Sequence, residues 1–506
     1  MYKRLEILSR NSTVGLALSL FIGAPLLFWN AFRYSAPLGY AGMFSLMAEL
    51  IVKAGFRLPM EVPYYGPGGL PFAYPPLGLY LLATLMRITG RTFILLRFLP
   101  PLFSLFSLIP LYFLVLEISR SKPAAMVVVL IASASVELYI PHAWAAGIVR
   151  APAFGFSLTS LLFFMRATRQ YAWREILLGG ISLGLAGLAH LSYALFAVFW
   201  IFFWVLTYPR LANWRIALGI TLSGGLVTLP WIALMLFRYG FHVFAGALNS
   251  HGNIAFLSAI TSPAGVFSRF YEGLQPIFKD ALLATLIGTG SMAQIARKHP
   301  TLPLMFLLSI FAFQDDGERF VFTIGFILAS MSIAEIANFL RNLPRRWRYP
   351  SVFGAIVLVL LIITHFWLGG LKRIETFSPR LTSAALDAGD FFQQHTPQNA
   401  TYLALVPQDE AEWMPYLFRR EPLVAQWGSE WLGKYNEQVL LMLAARACQN
   451  MQDLECLKGF FVQVQREPDY LIVLKKDTRL NRSLSSDAGW KPVYENSRYT
   501  IWSNSR

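Results

Sequence analysis

Carboxylates are scarce ahead of residue 370, and the first aspartate of the chain is Asp280. Each acid that falls in a loop is therefore a candidate general base or cation ligand. Glu49 leads, because residues 41–54 place Met43, Phe44, Met47, Leu50, Ile51 and Ala54 at helical spacing and Ser45, Glu49 and Lys53 in an i, i+4 polar row. That pattern predicts a short amphipathic helix lying flat in a membrane interface, with a carboxylate on its polar face. The same spacing makes Glu49 and Lys53 a surface ion pair, so base and surface partner are both open. Glu61 comes next, either a second base or a solvated loop residue. It stands in a segment where Pro59, Pro63, Pro67, Pro71, Pro75 and Pro76 with Gly66, Gly68 and Gly69 forbid regular structure. Tyr64, Tyr65 and Tyr74 crowd the same loop and could line a ligand.

Cations are placed as selectively as the acids. The stretch ELYIPHAWAAGIVRAPAFGF carries His142 and Arg150 at the mouth of an apolar segment. An arginine costs about 2.5–3.5 kcal/mol at the centre of a bilayer, so its placement here points to an interfacial position or an anion. Arginine is a natural phosphate ligand, and snorkelling at a helix end is the competing account. His190, in GLAHLSYA, suits either packing or acid–base work. Arg319 follows Asp315, Asp316 and Glu318 in FQDDGERFVF, where turn chemistry explains Asp-Asp-Gly and the guanidinium could meet a phosphate. His251 lies in RYGFHVFAGALNSHGNIAF without metal-ligand spacing. Near the C-terminus, Trp413, Trp427 and Trp431 with Arg419 and Arg420 suit a sugar ring or a small core equally. No nucleotide-binding Gly-rich loop, Ser/His/Asp order or zinc signature occurs, which argues against ATP-driven transport and soluble hydrolase chemistry.

The elements that must hold these side chains are set by composition. With 56% hydrophobic and 14% charged residues, the 506-residue chain reads as an α-helical polytopic membrane protein. Eleven spans are expected, at 13–29, 98–116, 123–140, 151–165, 176–191, 193–207, 216–236, 281–296, 301–313, 320–340 and 351–370. Residues 75–90 are left out, since counting them turns every later loop inside out. The net charge of +15 sits mainly in short loops such as those holding Arg166, Arg169 and Arg174, or Arg210 and Arg215. Those loops are cytoplasmic by the positive-inside rule, and nucleic acid is not implied as a partner. The first span follows Lys3, Arg4 and Arg10 and reads as retained rather than cleaved. A multi-pass protein of the plasma membrane results, with a cytoplasmic N-terminus and a long first outer loop over 31–97. Residues 1–370 form the membrane domain, and 371–506 an extracytoplasmic mixed α/β domain. In the latter, helices are expected at 381–395 and 431–447, strands at 402–406 and 470–474, and a final hairpin. Cys448 and Cys456 stand open between a disulfide and two thiols.

Several stretches together resemble one family: Tyr74-Pro75-Pro76, the Gly90…Arg97-Phe98-Leu99-Pro100 run, Gly147…Arg150, and GLAGLAHLSY at 184–193. They are similar to the GT-C superfamily of integral membrane glycosyltransferases, which includes protein O-mannosyltransferases, oligosaccharyltransferases and the aminoarabinose transferase of lipid A. The resemblance covers roughly residues 10–370 and implies a sugar donor linked to polyprenyl phosphate, used on the outer face with inversion. It also implies a carboxylate that deprotonates the acceptor hydroxyl, and arginine, histidine or a divalent cation that steadies the departing phosphate; the cofactor and the acceptor stay open. Members carry an aspartate early in the first outer loop, where this sequence has Tyr40 and Ala41, so Glu49 and Glu61 are the candidate bases. Tyr64, Tyr65, Tyr74, His142, Arg150, His190, His251 and Arg319 are the candidate substrate ligands. The alternative is a non-catalytic protein of the same architecture that binds or presents a lipid-linked glycan. A secondary transporter is disfavoured, because the spans are nearly free of charge.

Overall fold

The computed structural model describes residues 2–250, 262–313 and 317–505. Every stretch expected to span is helical. The membrane part opens with α1 (Tyr2–Arg33), then α4 (Thr92–Ser119), α5 (Lys122–Ala134), α6 (Val136–Ala143), α7 (Gly147–Gln170), α8 (Trp173–Ala189), α9 (Leu191–Thr207) and α10 (Leu211–Tyr239). The helices Ala281–Ala296, Thr301–Ala312, Glu318–Asn342 and Arg345–Ile374 complete it. Among the described residues six of these helices are long and apolar enough to cross a bilayer, or up to seven if a bent pair counts as one span, so the expected eleven includes several shorter helices.

The bent pair corrects one expectation. Residues 123–140 are not a single helix: α5 and α6 meet at 67° across Ser135. Ser135 is extended (φ −77, ψ 126), and its Oγ accepts from Leu138 N at 3.3 Å, so it caps α6 where α5 stops. The turn swings His142 inward.

Within the first loop, α2 (Gly42–Lys53) and α3 (Leu77–Thr89) flank a hairpin of β1 (Glu61–Val62) and β2 (Leu70–Pro71). With 13 residues, α3 is about 20 Å long, too short for a hydrocarbon core of about 30 Å. It ends at Gly90, whose φ of +65 suits a left-handed cap. The position of α2 is a second correction. Its apolar side chains meet protein rather than lipid: Met43, Phe44, Met47 and Ile51 pack with Tyr65, Phe72, Leu79 and Leu82 and with Trp413, Met414 and Phe418 of the C-terminal domain. Even Ser45, in the expected polar row, is fully buried and bonds to Ala41 O.

That domain is built on a five-stranded sheet in the order β4-β3-β5-β7-β6, where β3 is Thr401–Leu405, β4 Glu421–Pro422, β5 Tyr470–Leu474, β6 Trp490–Glu495 and β7 Tyr499–Asn504. β3 runs parallel to β4 and β5, and β7 antiparallel to β5 and β6. The near-continuous apolar runs TYLAL and YLIVL suit strands covered on both faces. One face packs on the first loop; the other is covered by the helices Tyr435–Met451 and Leu454–Gln463, which the Cys448–Cys456 disulfide ties together.

Candidate functional site

Tyr74 stands where the Gly/Pro-rich loop hands over to α3, and three rings meet it edge-on. Phe44 of α2 lies at 5.0 Å, His190 at 6.0 Å and Trp431 of the C-terminal domain at 6.1 Å between centroids. His190 is the extended residue (φ −167, ψ 117) that separates α8 from α9, which turns its ring out of both helices. Its Nδ1 shares a 2.9 Å hydrogen bond with Ser192 Oγ, and Ser192 Oγ also accepts from Arg319 Nη2 at 3.4 Å.

Arg319, in the first turn of Glu318–Asn342, is 6% exposed. Its guanidinium lies 5.0 Å from the Tyr193 ring and 4.8 Å from that of Phe320, contacts that compensate a cation withdrawn from water. Tyr193 Oη in turn shares a 2.7 Å bond with His142 Nε2, and the His142 ring stacks on Phe154 at 4.6 Å. Arg150, in the first turn of α7, donates from Nη2 to Tyr40 Oη at 2.9 Å and covers the Tyr40 ring at 5.7 Å. Burial pushes the Tyr74 phenol well above its ordinary range, while nearby Arg150 pulls it down and Tyr40 and Glu430 push it up. Five of the candidate residues thus converge from five segments of the chain: Tyr74, His142, Arg150, His190 and Arg319. Guanidinium and imidazole groups among aromatic faces are chemistry suited to an anion with an attached ring.

The other candidates lie elsewhere. Glu49 faces the C-terminal domain, where Oε1 accepts from Tyr416 Oη at 2.6 Å and Oε2 from Arg419 Nη2 at 2.6 Å. Glu49 thus pairs with Arg419 of the C-terminal domain. Glu61 is exposed on β1, opposite Pro71. Tyr64 occupies the hairpin turn at φ +69. Tyr65 is fully buried and donates to Glu412 O at 2.7 Å. His251, like Asp315 and Asp316, lies outside the described residues.

Two carboxylates that sequence reasoning passed over are prominent. Glu412 is 1% exposed and accepts from Gly42 N and Met43 N, both at 2.8 Å, so it caps α2 from the other domain. Burial pushes it up to about 7, against the pull of those backbone N–H groups. Glu430 lies in the turn Ser429–Leu432, beside Trp431. Its Oε2 is sealed from solvent and has no hydrogen-bond partner. Burial pushes this carboxyl up to about 7, while the backbone N–H groups of Glu430 and Gly428 favour the anion. The sequence signal was an acid between Trp427 and Trp431, bracketed by Gly428 and Gly433. Among the described residues no three of His, Cys, Asp and Glu converge as metal ligands.

No protein-family model matches the chain, and no curated protein does. Solved structures do. AglB, the oligosaccharyltransferase of Archaeoglobus fulgidus, in complex with an inhibitory peptide and a dolichol-phosphate, aligns over 98% of this chain and 74% of its own, at 13% identity and a TM-score of 0.62. ArnT from Cupriavidus metallidurans, bound to undecaprenyl phosphate, aligns over 97% of both chains at 14% identity and a TM-score of 0.56. The mycobacterial arabinofuranosyltransferase AftD aligns over 98% of this chain and 40% of its own, at 13% identity and a TM-score of 0.58.

Proposed function

We propose that this chain, whose fold is that of the GT-C membrane glycosyltransferases, transfers a sugar from a polyprenyl-phosphate carrier to a hydroxyl acceptor. The observation that carries the reading is the convergence of Arg150 and Arg319 with His142, His190 and Tyr74. Breaking a sugar–phosphate bond leaves charge on the departing phosphate, and charge-assisted donors held in a water-poor site oppose that charge most effectively. The aromatic faces of Tyr74 and Trp431 suit the sugar. Both AglB with dolichol-phosphate and ArnT with undecaprenyl phosphate support a lipid phosphate as the carrier. The positive-inside pattern supports an outer-face position for the first loop and the C-terminal domain, where the donor headgroup would be met.

Glu49, proposed from sequence as the base, fits a positioning role better, because its carboxylate holds Tyr416 and Arg419. Together with the exposed position of Glu61, this is the observation that favours the second reading, a non-catalytic protein that binds or presents a lipid-linked glycan. Binding of undecaprenyl phosphate to the purified protein tests what the two readings share. Arg319→Ala and Arg150→Ala are expected to weaken it about tenfold or more each. Equal binding by wild type and both variants would remove the phosphate site from this cluster.

A further inference from the structure

Resting on the transferase reading above, we infer that Glu430 is the catalytic base, supplied to the membrane site by the C-terminal domain. Four carboxylates lie where the first loop meets that domain, and their engagement differs: Glu421 accepts from Gly68 N of the loop at 3.3 Å and pairs with Arg466. Glu49 has both oxygens bonded to side chains, and Glu412 has both bonded to the first two N–H groups of α2. Glu430 keeps Oε2 buried and without a hydrogen-bond partner.

Its place is fixed by close packing. Gly428 (φ +81) and Gly433 (φ +70) bracket the turn in conformations that favour glycine. A Cβ on Gly428 would come within 2.0 Å of Leu70 Cδ1 in the hairpin, so the turn is pressed onto the first loop. On the other side α11 (His242–Asn249) packs so closely that a Cβ on Gly246 would come within 2.8 Å of the Glu430 carbonyl oxygen. Trp431 then meets Tyr74 at 6.1 Å, and the Glu430 carboxylate is near enough to Tyr74 to oppose ionisation of its phenol. The membrane helices bring Arg150 close enough to act on the Tyr74 phenol, while Arg319 approaches through Ser192, which bonds to His190 at the Tyr74 ring. A carboxyl pushed up to about 7 is a stronger proton acceptor than an exposed one.

The step balances with the donor and a hydroxyl acceptor alone. Glu430 takes the acceptor proton as the acceptor oxygen bonds to the anomeric carbon. The bond from that carbon to the phosphate oxygen breaks, and its electron pair leaves with the lipid phosphate. The proton ends on Glu430.

The test uses full-length protein in proteoliposomes, with mannosyl-, glucosyl- and aminoarabinosyl-phosphoundecaprenol as donor probes and an envelope glycolipid extract as the hydroxyl pool. Release of undecaprenyl phosphate and binding of undecaprenyl phosphate are read separately. Glu430→Gln is expected to slow release about 100-fold or more with binding within about threefold of wild type, and Glu430→Asp to recover part of the rate. Retained binding shows that the variant is folded. Release by Glu430→Gln within about threefold of wild type overturns the assignment to Glu430 and leaves the transferase reading standing. Wild-type protein that binds the lipid but consumes none of the three donors overturns both, in favour of the non-catalytic reading.

Discussion

Glu49, the lone acid expected on an amphipathic helix, makes two 2.6 Å bonds, to Tyr416 and Arg419. Glu49→Gln removes the charge but can keep the Tyr416 bond. The expected result is a loss of about 1–3 kcal/mol in stability, between an exposed and a fully buried pair, with donor turnover within about tenfold of wild type. A complete loss of turnover in a stably folded Glu49→Gln protein would return the base to Glu49. Four residues of the proposed cluster stand out in the sequence because their types are costly where they fall. Arg150 and Arg319 stand at the mouths of apolar spans, and His142 and His190 interrupt apolar runs. Glu430 was not legible in that way, since an acid in a polar tail costs nothing until folding presses its turn against Leu70 and α11. Its pH dependence follows from burial. With the carboxyl pushed up to about 7 and Tyr74 beside it neutral, the anion is present above 7, and turnover should fall as pH drops through 7. The acid limb should vanish in Glu430→Gln. Stability runs the other way, because a raised folded value means that protons favour the folded state. The burial of Glu412 and Glu430 should cost most above 7, and that cost should disappear between about 7 and the ordinary carboxyl value near 4.5, read as a melting temperature that rises on mild acidification.

Elements were more legible than their breaks and their coverings. The hydrophobic runs fall on each of the six helices long and apolar enough to cross a membrane, and the tail strand at Tyr470–Leu474 is where its apolar, β-branched run puts it. The break at Ser135 escaped notice, because one serine in an apolar run interrupts hydropathy very little while its Oγ caps a new helix decisively. The setting of α2 escaped for another reason. An amphipathic helix reads alike whether its apolar side meets lipid or a second domain, and here Glu412 and Trp413 supply the second domain, Trp413 donating to Gly39 O at 2.9 Å. Glu412→Ala should leave the Gly42 and Met43 N–H groups buried and unpaired, at about 2–4 kcal/mol for the two. Hydrogen exchange should then accelerate over 42–53 in particular. Unchanged protection there would mean that the cap does not hold α2.

Across the whole molecule, the proposed site is shared by the membrane helices and the C-terminal domain, which meet at Tyr74 and Trp431. The helices bring the cations, the first loop brings Tyr74, and the domain brings Trp431 and Glu430. Anything that loosens the domain should therefore lower activity without touching the membrane part. The Cys448–Cys456 disulfide, left open by the sequence, closes a loop with a separation of 8, worth about 2–3 kcal/mol by chain entropy. Reduction should lower the melting temperature of the domain by several degrees while the membrane helices persist, as followed by near-UV and far-UV circular dichroism. The central claim is that the cluster of Arg150, Arg319, His142, His190 and Tyr74 holds a lipid-linked sugar phosphate. Mass spectrometry of the lipids retained by the purified protein tests it most directly. A polyprenyl phosphate, free or carrying a sugar, should be present in wild type and depleted in Arg319→Ala; a wild-type preparation holding only bulk phospholipid, identical to that of the variant, would contradict the account.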